Sequence, residues 1–432
     1  MSHTRNDGAG RTGEPGEELA LFAAAVQAGR SDHAIFRHYT TGPPIDPHDA
    51  RLDTDPAALT ERLRSMAAAD RRKPGTTGRP VPIAARRSDE EDLIEFLPRP
   101  FARTYVMRQA IPEPTVDDLP FLIGPQGGAG NTFLVFAPEI GAGHPFAFAT
   151  SALPHAQFAG PGRRTVLLPR HTFDPRGVAR DNISAWAVDR FQEVYGALPL
   201  RHGEGPQMIP PTLSEVRAAR AQGIRRRPLR KATIDRTITS TDVIHYAYAA
   251  MHDPSWKGRP EADGAAPGPV RIMLHPDLEA WCSLGQELLD LHLGHDMIEG
   301  WPLTATPLPA PVYERLVHAE AGAPFIWRLR IKADREEGWI EVDGRVRLEG
   351  VPTRAWDLML GERSLMDRVI DQFKEQAIHP GRSPKEERLA RERHMDRFVR
   401  TLRRACRLSL ETQRIRQAIG ALPHAITNHL PA

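Results

Sequence analysis

The feature that most constrains the fold of this chain is a series of short apolar runs, broken by glycine and proline, from Leu93 to about Leu168. Runs this short are typical of β-strands, because a helix needs a longer segment with apolar residues every three or four positions. The sequence therefore predicts strands at Leu93–Leu97, Thr104–Met107, Phe121–Ile123, Thr132–Phe136, Phe146–Ala149 and Thr165–Leu168.

Helical spacing of apolar residues flanks this block on both sides. One helix is predicted over 17–28, and a second begins at Pro56 with Asp55 as its N-cap. Farther along the chain, the sequence predicts helices within 182–196 and at about 240–251 and 276–293, strands at 325–331, 338–342 and 345–348, and helical segments over 352–378 and 384–418. The expected fold is mixed α/β or α+β, with short strands and packed helices followed by a helical C-terminal region.

Composition sets the broad class of protein. The 432 residues include 57 Lys and Arg against 55 Asp and Glu, a formal net charge of +2, and no apolar run approaches the roughly 20 residues of a membrane span. The polar N-terminus is unlike a secretory signal, and Cys282 and Cys406 are too few for a disulfide scaffold or a Cys-based zinc module. We expect a cytoplasmic protein without a membrane partner.

Motifs of the common nucleotide-using and DNA-modifying enzymes are absent from the sequence. There is no Gly-Lys-Ser/Thr phosphate loop, no lysine two positions after an acidic residue, and no Pro-Pro pair in the context of an adenine methyltransferase. His292 and His295 have a spacing that suits metal binding on one helix face, but Gly294 between them favours a polar helix end. The sequence thus predicts no catalytic residue, no cofactor and no metal site.

Positive charge is concentrated in two stretches. Residues 217–236 contain eight basic residues and one acidic residue, and residues 374–416 contain thirteen basic and six acidic residues, so each has a local charge of +7. Basic segments of this size neutralise several phosphates, and nucleic acid is therefore a predicted partner. The alternative for each stretch is a solvated surface, or an arginine-coated helix that covers another part of the chain.

Six segments in order resemble the C-terminal specificity region of type ISP restriction–modification enzymes. They are Leu97–Val106, Arg164–Pro169, Asp181–Ser184, Asp242–Arg259, Arg271–Leu274 with the helix Leu284–Leu293, and Gly350–Gln372. The chain departs from the family pattern where Pro98 replaces a tyrosine, Ala102 an aspartate, and Asp253 and Trp256 a serine and a tyrosine. The resemblance covers about residues 90–415, and the nuclease, ATPase and methyltransferase parts of the family have no counterpart in this sequence.

The resemblance implies a target-recognition module with a particular division of the chain. Residues 1–85 are expected to form an N-terminal extension, partly disordered and with two short helices. Residues 86–380 correspond to the type ISP-like target-recognition domain, and residues 381–432 to a basic amphipathic helix and tail. The turn-rich segment 71–82 favours the first boundary.

Double-stranded DNA is the partner that the resemblance and the charge pattern imply together. The chain is expected to act as a separately encoded specificity subunit, beside a methyltransferase and/or helicase-translocase subunit of a restriction–modification or phage-defence system. The residues expected to contact DNA are Arg99, Arg103, Arg225, Arg226, Arg227, Arg230 and Lys231. For each of them an ion pair within the protein is an equal alternative, and for the whole chain the alternatives are a non-catalytic scaffold or an enzyme with an unrecognised site.

Overall fold

A computed structural model describes most of the chain. The described residues are 17–22, 33–45, 52–70, 93–108, 111, 121–124, 130–137, 146–160, 165–196, 198–199, 207–209, 231–233, 235–256, 270–309, 325–378 and 384–425. Within these residues, no helix combines the length and the apolar character that crossing a membrane requires.

Helices and short strands alternate along the chain. The helices are α1 (Pro56–Asp70), α2 (Ala185–Tyr195), α3 (Ser240–Ala250), α4 (Leu278–Leu293), α5 (Leu365–Phe373) and α6 (Pro384–Gly420), and Thr353–Trp356 forms a 3-10 helix. The strands are β1 (Glu18–Ala20), β2 (Thr40–Thr41), β3 (Leu52–Asp53), β4 (Leu93–Leu97), β5 (Thr104–Met107), β6 (Phe133–Ala137), β7 (Phe146–Thr150), β8 (Leu153–Pro154), β9 (Val166–Pro169), β10 (His171–Phe173), β11 (Ala179–Asp181), β12 (Leu198–Pro199), β13 (Gln207–Ile209), β14 (Lys231–Thr233), β15 (Asp235–Arg236), β16 (Arg271–Met273), β17 (Thr304–Pro307), β18 (Phe325–Arg328), β19 (Ile331–Asp334), β20 (Trp339–Val342), β21 (Val346–Glu349), β22 (Met359–Leu360), β23 (Arg363–Ser364) and β24 (Glu375–Ile378).

Three four-stranded sheets organise these elements. Their strand orders are β2-β9-β6-β7, β3-β5-β4-β8 and β17-β21-β20-β19, and the remaining strands form two-stranded pairs. The pair β4–β8 is parallel, and the other pairs in the described residues are antiparallel. Because β1, β2 and β3 pair with β16, β9 and β5, the described residues between 17 and 53 are part of the same packed structure. The domain boundaries after residues 85 and 380 stay predictions.

Strands β6 and β7 are buried on both faces and join two hydrophobic cores. Side chains alternate between the faces of a strand, so Leu134 and Phe136 enter a core around α3 and α4, whereas Val135 and Ala137 enter a core with α5 and α6. A third core packs α1 against the sheet that contains β4 and β5. The double burial explains why these strands read as continuous apolar runs instead of alternating ones.

The mixed fold and most of the predicted elements are confirmed. Five of the six predicted strands between residues 93 and 169 are present to within one residue, and α6 matches the predicted C-terminal helix. Asp55 caps α1 as expected, since its Oδ1 accepts a hydrogen bond from the amide of Ala57 at 2.9 Å. Asp343 and Gly344 form a tight turn between β20 and β21, with φ values of 55° and 62°, as the Asp-Gly dipeptide between the two predicted strands favours.

Three predictions of secondary structure are wrong. Residues 18–20 of the expected helix 17–28 form β1, because pairing with β16 buries Leu19 and outweighs helical propensity; residues 23–28 lie outside the described part. Phe121–Ile123 is a helical turn instead of a strand, and apolar runs of three residues do not distinguish the two. The expected helical segment 352–378 is divided by the hairpin β22–β23, whose turn contains Gly361 at φ 71°.

The end of α4 is buried, so the expectation of a polar helix end at His292 and His295 is also wrong. The two side chains are only 1% and 0% exposed. His292 hydrogen-bonds the Tyr248 hydroxyl through Nδ1, and its Nε2 lies 3.0 Å from the Thr412 hydroxyl of α6. Burial lowers the pKa of His292 well below its ordinary value and also lowers the pKa of His295, so both rings are neutral in the folded protein at pH 7.

This burial predicts acid sensitivity near neutral pH. Below the ordinary histidine pKa of 6.5 the unfolded chain binds a proton that folded His292 does not. As the pH is lowered from about 6.5 to 5, the free energy of unfolding should therefore fall by about 1.4 kcal/mol per pH unit for each such histidine. Urea denaturation across this range measures the slope. His292→Gln, which keeps a donor and an acceptor, should reduce the slope by about one proton, and an unchanged slope would contradict the prediction.

Candidate nucleic-acid interface

Two nested strand pairs lie on either side, in sequence, of residues 217–230 of the basic stretch, which are outside the described part of the chain. Strand β12 pairs with β15 and β13 pairs with β14, both antiparallel, between the end of α2 and the start of α3. Ile209 lies opposite Lys231, so the chain between these two residues leaves and returns at the same point. Lys231 is the first residue of β14, whereas Arg225, Arg226, Arg227 and Arg230 lie outside the described residues.

The base of these nested pairs is fixed by a buried ion pair. Arg236 of β15 and Asp242 of α3 are 5% and 0% exposed, and Nη1 of Arg236 lies 2.7 Å from Oδ2 of Asp242. The same carboxylate accepts hydrogen bonds from the amide and hydroxyl of Thr239, which completes a capping box at the start of α3. Burial alone raises the pKa of Asp242, but the hydrogen bonds from Arg236 and Thr239 outweigh it and hold that pKa below its ordinary value.

The hairpin β10–β11 is anchored to the same helix start. Arg170, just before the hairpin, pairs with Asp181 at its end, and Nη2 of Arg170 donates to the Ser240 hydroxyl at 3.0 Å. Ser240 in turn donates to Asp181. The first turn of α3 therefore holds both the base of the nested strand pairs and the base of the hairpin β10–β11.

The tip of this hairpin is exposed and internally braced. Oδ1 of Asp174 accepts hydrogen bonds from the amides of Arg176 and Val178 at 2.9 and 3.0 Å, and Gly177 takes a φ of 79°. Arg176 and Arg180 are exposed, and Val178 keeps 55% of its surface accessible. An exposed apolar side chain on a braced two-stranded ribbon is a feature that the major groove of DNA can accommodate.

The predicted contacts Arg99 and Arg103 lie elsewhere, at the turn between β4 and β5. Arg103 is held by two carboxylates: it pairs with Glu95, and its Nε lies 3.0 Å from Oδ2 of Asp296. Burial lowers the pKa of Arg99, an effect that Asp371 opposes. The structure thus gives Arg103 the ion pair that was its alternative role, and DNA contact by either residue stays a prediction.

Arginines of α6 also serve packing within the protein. Arg403 donates to the carbonyl of Leu303 at 2.8 Å, and the guanidinium of Arg407 lies 5.1 Å from the ring centre of Trp301. These contacts favour the interpretation of the second basic stretch as a helix that covers other elements. The other basic stretch, whose described part comprises β14 and β15, stays the predicted site for a nucleic-acid ligand.

The anchoring residues of α3 were not among the predicted site residues, although signals for them exist in the sequence. Thr239-Ser-Thr-Asp242 has the spacing of a capping box, and Asp174-Pro-Arg-Gly177 is a turn sequence. Neither signal predicts which charged residue its side chains contact in the fold, because Arg170 and Ser240 are 70 residues apart.

Comparison with known proteins places these features in a family context. The sequence model of the family described as Type ISP C-terminal specificity domain matches residues 50–395. Among solved structures, the DrdV–DNA complex is similar over 95% of this chain at 21% identity and a TM-score of 0.66. A nuclease-deletion mutant of the Type ISP restriction–modification enzyme LlaGI, in complex with a DNA substrate mimic, is similar over 94% of this chain at 15% identity and a TM-score of 0.56.

A third solved structure has the same fold. The ATP-dependent Type ISP restriction–modification enzyme LlaBIII bound to DNA is similar over 94% of this chain at 12% identity and a TM-score of 0.54. The matched region is only 38%, 29% and 24% of the DrdV, LlaGI and LlaBIII chains respectively. No match was found among curated proteins.

The buried ion pair at the base of the nested strands predicts a large loss of stability on truncation. Arg236→Met leaves the Asp242 carboxylate buried without its cation, so the free energy of unfolding should fall by about 3–5 kcal/mol. Arg180→Met is the matched control, because its pair with Asp174 is exposed, and it should change stability little. Urea denaturation compares the two variants, and equal losses would refute the anchoring role of Arg236.

Proposed function

The chain belongs to the family of Type ISP C-terminal specificity domains, the target-recognition part of restriction–modification enzymes, and from this membership we propose a function for it. It acts as a sequence-specific DNA-binding subunit of a bacterial restriction–modification or phage-defence system. It positions double-stranded DNA for a separate adenine methyltransferase or translocase. Because the matched region is at most 38% of the compared chains, these partner subunits are part of the proposal.

One observation carries the proposal: the hairpin β10–β11 and the strand pair that leads to the basic stretch are held at the same helix start. The segment with a local charge of +7 joins the fold at Ile209 and Lys231, and the hairpin β10–β11 is fixed by Arg170 and Asp181 to the same helix start. The three compared structures contain DNA or a DNA mimic, which supports DNA as the ligand here. We propose that the basic segment neutralises phosphates and that the hairpin tip contacts base edges.

Among the predicted contact residues, the proposal assigns phosphate binding to five: Arg225, Arg226, Arg227, Arg230 and Lys231. Arg99 and Arg103 contribute less, because Arg103 already pairs with Glu95 and Asp296. A chain with this role needs no active site of its own. Both cysteines are buried, and burial raises the pKa of Cys406 to about 12, which makes its thiol a poor nucleophile.

Charge reversal tests the phosphate contacts. The triple variant Arg225→Glu, Arg226→Glu and Arg227→Glu should weaken DNA binding uniformly across sequences and reduce the slope of log K against log salt by about three. Fluorescence anisotropy between low and moderate salt measures both effects. The matched control reverses three exposed basic residues elsewhere: Arg330, Lys332 and Arg354. An equal loss in the control would mean that only net charge matters.

The same experiment distinguishes a DNA-reading chain from the alternative, a non-catalytic scaffold. If the triple variant binds DNA as well as the original chain, or if the original chain shows no salt-dependent binding alone or with its partner subunits, the DNA-reading function is refuted. Pull-down of the methyltransferase or translocase subunits with the same variant then shows whether the chain assembles partners without reading DNA.

Substitution at the hairpin tip tests base contact separately. Val178→Ser removes an apolar contact of the kind that favours a thymine methyl group, so discrimination at one base pair should fall by about 1 kcal/mol, while the salt slope stays unchanged. Binding to a library of single-base variants of the target measures this. Met297→Ser is the control, because Met297 is 82% exposed but lies outside the hairpin. An unchanged sequence preference for Val178→Ser would exclude the tip as a base reader.

A further inference from the structure

Three metal-ligating side chains from distant parts of the chain meet beyond the C-terminal end of α3. Asp253 follows α3, His275 precedes α4, and His424 follows α6. Oδ2 of Asp253 lies 3.1 Å from Nε2 of His424 and 3.8 Å from Nε2 of His275. One ligand atom from each residue lies within 4.8 Å of the other two. Among the described residues, one group of at least three His, Cys, Asp or Glu side chains has ligand atoms this close together, and it is this one.

The hydrogen bonds around His424 leave one nitrogen for a cation. Nδ1 of His424 lies 2.7 Å from the carbonyl oxygen of Leu422 and donates to it. In a neutral ring, Nε2 then carries a lone pair that faces the Asp253 carboxylate at 3.1 Å. Two lone pairs at this distance repel each other, and a metal ion bound between them would remove that repulsion.

The carboxylate is oriented as a metal ligand requires. Oδ1 of Asp253 accepts a hydrogen bond from the amide of Ser255, and Oδ2 accepts one from its hydroxyl, both at 2.8 Å. Asp253 and His275 are buried, whereas the His424 side chain is 29% exposed, so an ion and a water molecule can reach the cluster from one side. Such supporting hydrogen bonds commonly hold metal ligands in position.

We propose that Asp253, His275 and His424 form a binding site for a divalent transition-metal ion, with zinc as the best fit and water as the fourth ligand. Two imidazoles and one carboxylate are a donor set that zinc accepts in tetrahedral geometry. Zinc bonds of about 2.05 Å place neighbouring ligand atoms about 3.3 Å apart. The two separations from Asp253, 3.1 and 3.8 Å, lie on either side of that value.

Metal binding at His275 requires one local rearrangement. Nδ1 of His275 accepts a hydrogen bond from the amide of Ala425 at 3.1 Å, so the neutral ring carries its proton on Nε2. Coordination through Nε2 moves that proton to Nδ1 and releases the Ala425 amide. His275 also stacks on Trp281, with ring centres 4.4 Å apart, which limits the movement to the C-terminal segment.

The bound ion would connect three elements that are far apart in sequence. It would attach the end of α6 to the end of α3 and the start of α4, in addition to the contact of His424 with Trp281 at 5.4 Å. The Asp253 carboxylate also stabilises the positive charge of Arg416 electrostatically, so the zinc affinity should be lower than that of a fully dedicated zinc site. The site is separate from the proposed DNA contacts and does not depend on them.

Metal titration of the full chain tests the site. After removal of metal with a chelator, the chain should bind one zinc ion in competition with a chromophoric chelator, and Tm should rise on zinc addition. Cobalt should give the visible absorption of a tetrahedral site. His424→Gln and Asp253→Asn should each lower zinc affinity at least tenfold. His171→Gln, which removes a histidine outside the cluster, should bind zinc like the original chain.

Two results would overturn the proposal. One is stoichiometric zinc binding that is equal in the original chain and in His424→Gln. The other is the absence of zinc binding by the original chain.

Discussion

The first turn of α3 is the constraint on which the candidate interface depends. Asp242 is fully buried and compensates Arg236, while Ser240 hydrogen-bonds Asp181 and Arg170. Removing one partner of a buried ion pair lowers the free energy of unfolding by more than forming the pair raises it. The contacts at this helix start are therefore kept or lost together. The strand pair β12–β15 and the hairpin β10–β11 are therefore both held at one helix whose own side chains are almost all buried.

The sequence predicted those elements whose formation depends on local signals. The strands at 93–97 and 104–107, the cap at Asp55 and the turn at Asp343 were all recognisable because length, punctuation and capping chemistry are properties of neighbouring residues. The errors fall where distant pairing decides the structure. The strand β1 forms only because β16, about 250 residues later, provides its hydrogen bonds.

The candidate site was less predictable for the same physical reason. Clustered arginines in a sequence indicate positive charge, but the effective charge depends on which carboxylates fold beside them. Arg103 pairs with Asp296, a residue 193 positions away, and its charge is thereby largely compensated. His292 and His295 were expected at a polar surface, yet the neighbouring strand β7 and helix α6 bury them. Burial of this kind is a property of the assembled fold.

Helix α3 connects these conclusions, because it has a functional candidate at each end. Reading a base edge requires side chains held to well within an ångström, and such precision comes from rigid elements and their supporting hydrogen bonds. The start of α3 provides that support to the hairpin tip through Ser240 and Asp181. Beyond its other end, Asp253 contacts His424 and so fixes the chain that follows α6. A cation bound there would restrain the same helix that holds the hairpin β10–β11 and the strand pair β12–β15 at its other end.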